Sequence, residues 1–171
     1  MQYCTSLHLT SRITLIMSLK DRKSELRKIA FLDRDGVINK KAGEHKYITK
    51  IEDFVFNEGI FKVLDHLRRE GFAFIVVTNQ RGVARGLLDE EKLAEIHSFM
   101  KEGLKNNGID ILDIFCCPHN ENECDCRKPK DGLLRMASEK YSIDLNQSLF
   151  ITDSQKEVEM GKVLALKTTI L

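Results

Sequence analysis

No apolar run in these 171 residues approaches the roughly 18 that a membrane-spanning helix needs. The chain also lacks a charge excess: 27 Lys and Arg stand against 26 Asp and Glu, a net of +1. So even a balance gives no electrostatic ground for a nucleic-acid or anionic-membrane partner. Internal repeats, low-complexity tracts and long Pro/Gly/Ser linkers are missing, so nothing marks a second compact domain. The apolar patch at residues 13–17 is short and has no small-residue cleavage site after it, which excludes a secretory leader of the usual form. Residues 1–27 read as an N-terminal extension, with Met17 as an alternative start, and 28–171 as the folded domain. Hydrophobic residues make up 42% and charged residues 31%, a composition that supports one globular core; with neither leader nor anchor read, the protein is expected in the cytoplasm.

Five cysteines are present, and four of them, Cys116, Cys117, Cys124 and Cys126, fall in one short stretch. Without a leader, a metal site is a better reading than a disulfide framework. Cys117, His119, Cys124 and Cys126 supply three thiolates and an imidazole, a closed tetrahedral set for Zn²⁺. The spacing Cys-x-His-x4-Cys-x-Cys differs from that of DNA-reading fingers, and no ββα pattern surrounds it. Cys4 and Cys116 read as buried small hydrophobes.

Apolar runs predict strands at 28–32, 72–77, 112–115, 148–152 and 168–171. Helical spacing predicts helices at 59–70, 89–107, 131–141 and 155–164, with Asp89 as N-cap and Gly108 as terminator of the second. Alternating strands and helices imply an α/β fold, a mostly parallel sheet covered on both faces. His8, His66 and His97 carry no motif and read as surface or helix-face residues.

Open α/β sheets bind ligands beyond the carboxyl ends of their strands. Here four strands end at Asp33, at Thr78-Asn79-Gln80, at Cys116-Cys117 and at Asp153. Asp33-Arg34-Asp35-Gly36 alone also suits a solvated turn. Together with Asp153, however, Asp33 and Asp35 form an acidic cluster that calls for a cation, and oxygen ligands favour Mg²⁺. Thr78 offers a hydroxyl and Lys128 a point charge to phosphoryl oxygens.

The ordered set Asp33-Arg34-Asp35-Gly36, Thr78-Asn79-Gln80, Arg127-Lys128-Pro129 and Asp153 resembles that of the haloacid-dehalogenase-like phosphatases. Within them it is most similar to the heptose 1,7-bisphosphate and histidinol phosphatases. The resemblance implies a Rossmann-like three-layer sandwich with a zinc-ordered loop, and no separate cap domain is expected, because the interval 36–59 is too short for one and 80–112 is filled by one helix. It implies that Asp33 attacks phosphorus, that Asp35 is the acid and base, and that Thr78 and Lys128 stabilise the phosphoryl group. Asp33, the Asp35 carbonyl and Asp153 would hold Mg²⁺. A structural Zn²⁺ would fix Arg127 and Lys128 at the pocket, where Arg127 suits a second phosphate. His45-Lys46-Tyr47 resembles a substrate segment of that family, and Asn79, Gln80, Arg81 and Ser154 complete the expected contacts. A small-molecule sugar bisphosphate follows from the same likeness, and the enzyme is expected to be a monomer.

Departures from the pattern are Arg81 where a small residue is usual, Thr152 for glycine, Ser154 for lysine, and Glu157 for aspartate. They suggest that Arg81 replaces the absent lysine at the phosphate. The competing readings are a histidinol-phosphate phosphatase and a catalytically weak zinc-bearing interaction module.

Overall fold

The computed structural model describes residues 26–43, 46–164 and 166–170. Most of the extension at 1–27, with Cys4 and His8, and also His45, lie outside the described residues. Five strands, β1 (Ile29–Leu32), β2 (Ala73–Asn79), β3 (Ile111–Cys117), β4 (Leu149–Thr152) and β5 (Lys167–Ile170), form one sheet in the order β3-β2-β1-β4-β5. Every pairing is parallel. The helices are α1 (Ile60–Arg69), α2 (Glu90–Lys105), α3 (Gly132–Lys140) and α4 (Gln155–Val163).

β1 is the centre of the sheet, and all four of its residues are 0% exposed. Side chains alternate along a strand. Ala30 and Leu32 therefore join the core formed with Ile60, Leu64, Ile96 and Met100 on one face. Ile29 and Phe31 join Leu133, Leu134, Ala137 and Met160 on the other. A strand buried on both faces reads as an unbroken apolar run, and each large side chain so buried contributes about 1.5–3 kcal/mol. The end of β1 is thereby a rigid platform for Asp33.

The stripe Leu93, Ile96, Met100 and Leu104 of α2 faces the sheet as predicted. The Asp89 carboxylate accepts a hydrogen bond from the Lys92 amide at 2.8 Å, and Gly108 turns the chain at φ 76° after the helix. α3 buries Leu134 and Ala137, while Tyr141 is partly buried just past its end. Val158 of α4 is buried, as expected. The inward placement expected of Val163 lies outside the described side chains.

One boundary departs usefully from the sequence reading. β3 runs to Cys117 because β2 is long enough to pair Thr78 with Cys116 and Asn79 with Cys117. Cys117 is therefore a buried strand residue at the base of the loop that carries the other cysteines. Among the described residues, neither 36–59 nor 80–110 holds an additional domain: the first contains one 3₁₀ turn (Ile51–Asp53) and the second is filled by α2.

Candidate active site

Because β1 is flanked by β2 and β4, three strand ends converge on Asp33. Its amide donates to the Ile151 carbonyl at 3.0 Å, continuing the β1–β4 ladder by one residue. One carboxylate oxygen accepts from the Arg34 amide at 2.7 Å; the other meets Lys128 Nζ at 2.7 Å. Burial pushes the Asp33 carboxyl up to about 6; Lys128 opposes the rise, while Glu157 and Asp35 add to it.

Gly36 turns the chain away at φ 96°. A Cβ there would lie 1.9 Å from Asp153 Oδ2. Only glycine allows the Asp153 carboxylate to pass over this turn, so the two ends of β1 and β4 share one oxygen-lined cradle. Lys41 Nζ pairs with Asp153 Oδ2 at 2.5 Å from the loop that follows. Hard oxygen donors in such a cradle fit Mg²⁺.

Asp35 accepts from Arg34 Nε and Nη2 at 3.0–3.1 Å, from Asn39 Nδ2 at 2.9 Å and from Gln80 Nε2 at 3.0 Å. Arg34 is 0% exposed and also reaches Gln80 Oε1 and His97 Nε2. Gln80 in turn donates to Thr78 Oγ1 at 2.9 Å. A buried guanidinium, one carboxylate, an amide and a neutral imidazole thus hold Asp35 and Thr78 together.

Lys128 is 4% exposed and lies between Asp33 and Glu157, 3.0 Å from the latter. Its backbone is pinned by Asn79, whose side chain donates to the Lys128 carbonyl and accepts from its amide, both at 3.0 Å.

Cys117, His119, Cys124 and Cys126 bring their ligand atoms within 4.8 Å of one another. Neighbouring contacts are 3.3–3.6 Å. A tetrahedron with arms of about 2.3 Å has edges of about 3.8 Å, so a zinc-sized ion fits among them. A Cβ on Gly132 would come 2.4 Å from the Asp125 carbonyl oxygen, so α3 starts hard against this loop. Cys116 stands apart from the cluster, and burial pushes its thiol up to about 12.

A family profile described as "Polynucleotide kinase 3 phosphatase" matches residues 28–163. A D-glycero-alpha-D-manno-heptose-1,7-bisphosphate 7-phosphatase of Photorhabdus laumondii is 41% identical over 143 residues, covering 79% of this chain and 76% of that one. A D-glycero-beta-D-manno-heptose-1,7-bisphosphate 7-phosphatase of Pasteurella multocida is 35% identical over 153 residues, with coverage of 85% and 82%. The crystal structure of D,D-heptose 1,7-bisphosphate phosphatase from B. bronchiseptica, complexed with magnesium and phosphate, superposes with a TM-score of 0.75 at 30% identity. It covers 82% of this chain and 78% of that one. The chain belongs to the haloacid-dehalogenase-like phosphatases, in their heptose-bisphosphate branch.

Several residues expected to face substrate in this phosphatase are turned elsewhere. Gln80 is buried beneath Asp35 and Thr78, and Asn79 grips the Lys128 backbone. Arg81 donates to Asn120 Oδ1 at 3.2 Å and Glu121 Oε1 at 2.7 Å, so its charge is spent on the cysteine loop, not on the phosphoryl cradle. The cation that does sit at the end of β4 is Lys41. Lys46 is exposed, and Tyr47 packs beside Gly82 with Arg85 against its ring and hydroxyl. Arg127 points Nη1 at the His119 carbonyl at 3.5 Å, and the Ser154 amide donates to Thr152.

Sequence reading missed Arg34, the neutral partner His97 and the anchoring role of Glu157. The position of Arg34 between two acids was the available signal. His97 offered none: it lies on α2, as one of the two expected placements had it, but faces inward and meets Arg34 at 3.3 Å rather than solvent. Burial first, then the Arg34 charge, lowers its pKa to about 4. The unfolded chain protonates His97 as pH falls through about 6.5, whereas the folded one holds it neutral to about 4. Its contribution is therefore full above that window and is lost on acidification through it. Asp33, raised to about 6, works in the opposite direction, contributing stability at low pH that is lost as pH rises through that value. The two partly cancel in the wild type, so a difference isolates the histidine. His97→Gln keeps a neutral acceptor; urea unfolding should find it gaining about 2 kcal/mol on wild type between pH 7 and 4.5. A difference independent of pH would contradict this.

Proposed function

We propose that the chain removes the 7-phosphate of a D-glycero-D-manno-heptose 1,7-bisphosphate through an aspartyl-phosphate. The reading rests above all on the buried Lys128 ammonium held against Asp33 beside Thr78, at one strand edge of a fold shared with a phosphatase complexed with magnesium and phosphate. An Asp33 carboxylate oxygen forms a bond to phosphorus as the bond to the sugar oxygen breaks, and Asp35 gives that oxygen a proton. Asp35 then takes a proton from water, which attacks the aspartyl-phosphate and frees phosphate. Both Asp35 oxygens accept hydrogen bonds in the structure, so the acid step asks Asp35 to release part of the Arg34 fork as substrate enters. Thr78 and Lys128 stabilise the transferring oxygens.

Asp33, the backbone carbonyl of Asp35 and Asp153 would hold Mg²⁺, which neutralises phosphoryl charge. Cys117, His119, Cys124 and Cys126 would hold Zn²⁺ and so fix the loop that leads into Arg127 and Lys128. Arg127, Lys46, Tyr47 and Ser154 are assigned to the rest of the sugar bisphosphate, and Asn79, Gln80 and Arg81 to its support. The catalytic domain spans 28–171 and works as a cytoplasmic monomer. No described helix is long and apolar enough to cross a membrane.

Phosphate release from the α and β anomers, with Mg²⁺ and with chelator, tests the reading. Release from both anomers should require Mg²⁺. The α anomer should be faster, because the relatives named for the α anomer share 41% and 38% identity and those named for the β anomer 33–36%. Equal release without the ion, or a higher kcat/KM for histidinol phosphate, would reject it.

A further inference from the structure

Thr152, the last residue of β4, is 0% exposed. A β-branched residue there needs no special reason, but a buried hydroxyl does; valine would fill the same space. The Ser154 amide already donates to Thr152 Oγ1 at 3.1 Å. The hydroxyl hydrogen is therefore free to go to Glu157 Oε2, 2.7 Å away. That same oxygen accepts from Lys128 Nζ at 3.0 Å. Glu157 itself lies in the first turn of α4, with its amide on the Ser154 carbonyl at 3.0 Å, where a carboxylate is favoured.

An ammonium has three N–H bonds in tetrahedral array. Two of those of Lys128 are directed at Asp33 Oδ2 and Glu157 Oε2, which leaves the direction of the third determined. The side chain also lies over the Phe150 ring, 5.7 Å from its centroid. Glu157 is thus one of two posts that orient the lysine, and the Thr152 hydroxyl fixes that post.

We propose that Thr152 is a positioning residue: through Glu157 it orients Lys128 so that the remaining N–H meets the transferring phosphoryl group. The inference rests on the phosphatase reading for its catalytic readout, so it is tested in two ways. Thr152→Val should lower kcat about tenfold, with KM within about twofold and a melting temperature lower by only a few degrees, since the Ser154 amide and Glu157 lose a partner, and Thr152→Ser should restore kcat to within about twofold. In a Glu157→Gln background, Thr152→Val should add little to the loss of kcat, because the hydroxyl reaches Lys128 only through the Glu157 carboxylate. Tungstate, a phosphoryl-mimicking oxyanion, should bind Thr152→Val about tenfold more weakly than wild type by calorimetry, with or without turnover.

If wild type hydrolyses no phosphomonoester while tungstate affinity still follows the hydroxyl, the phosphatase reading fails and the positioning role stands. Unchanged kcat and tungstate affinity in Thr152→Val, or independent factors in the double variant, overturn the positioning role alone. Should the valine variant not fold, Thr152→Ser against Thr152→Ala isolates the hydroxyl. Equal values for that pair overturn the proposal, and a tenfold gap supports it.

Discussion

Asp33→Asn is expected to lose hydrolysis by about 10⁴-fold or more, because the amide cannot form the aspartyl-phosphate bond. The variant should nevertheless fold as well as wild type. In the wild-type cluster, one buried ammonium, Lys128, faces two carboxylates, Asp33 and Glu157. Replacing Asp33 by its neutral isostere leaves a one-to-one pair, so no buried charge is orphaned. It also removes a carboxylate whose ionised form burial disfavours, the cause of its rise to about 6. Stability at pH 7 should therefore be equal or higher, as urea unfolding would read. Residual turnover within tenfold of wild type, in protein shown to be folded, would remove Asp33 from the nucleophile's role. It would also restore the interaction-module reading, in which this acid has no chemistry to perform.

Cys124→Ala should remove a single zinc per chain, read by elemental analysis, and lower kcat/KM by roughly 100-fold. The mechanism is mechanical. Cys117 is anchored in β3, but Cys124 and Cys126 lie on the loop that runs directly into Arg127 and Lys128. In the variant the two remaining thiols have only weak hydrogen bonds to the His119 imidazole, at 3.6 Å from Cys117 and 3.4 Å from Cys126, to hold them. What then ties the loop is Arg81 to Glu121, Lys130 to the Cys124 carbonyl, and Asn79 to Lys128. The first two are solvent-exposed contacts, worth little each. The Asn79 clasp should keep Lys128 partly in place, so the rise in KM for a bisphosphate substrate should exceed the fall in kcat, since Arg127 lacks such a clasp. Full activity in zinc-free protein would show that the loop orders itself without the metal.

Local chemistry made a good part of this legible. The α2 stripe, its Asp89 cap and the Gly108 turn depend on residues within one or two turns of each other, so spacing alone specified them. Asp33 and Thr78 were legible as strand-end residues because unbroken apolar runs stop directly before them, and Asp153 because the run Leu149-Phe150-Ile151 stops one residue earlier. Arg81 shows the reverse. Its charge and its place after β2 suggested phosphate, but its guanidinium is committed to Asn120 and Glu121, forty residues on, and nothing local signals that loop's approach. His97 and Glu157 were missed for the same reason. One is made functional by an arginine 63 residues away and the other by a lysine 29 residues away.

The order of strand-end acids, hydroxyl and ammonium, the cysteine–histidine spacing and the α/β alternation belong to the sequence, because each is a local period or a local choice of side chain. The placing of β1 between β2 and β4, the passage of the Asp153 carboxylate over Gly36, and the sharing of Lys128 between Asp33 and Glu157 belong to the tertiary structure. Those depend on which distant segments pack together, and burial then converts the resulting proximity into direction and charge.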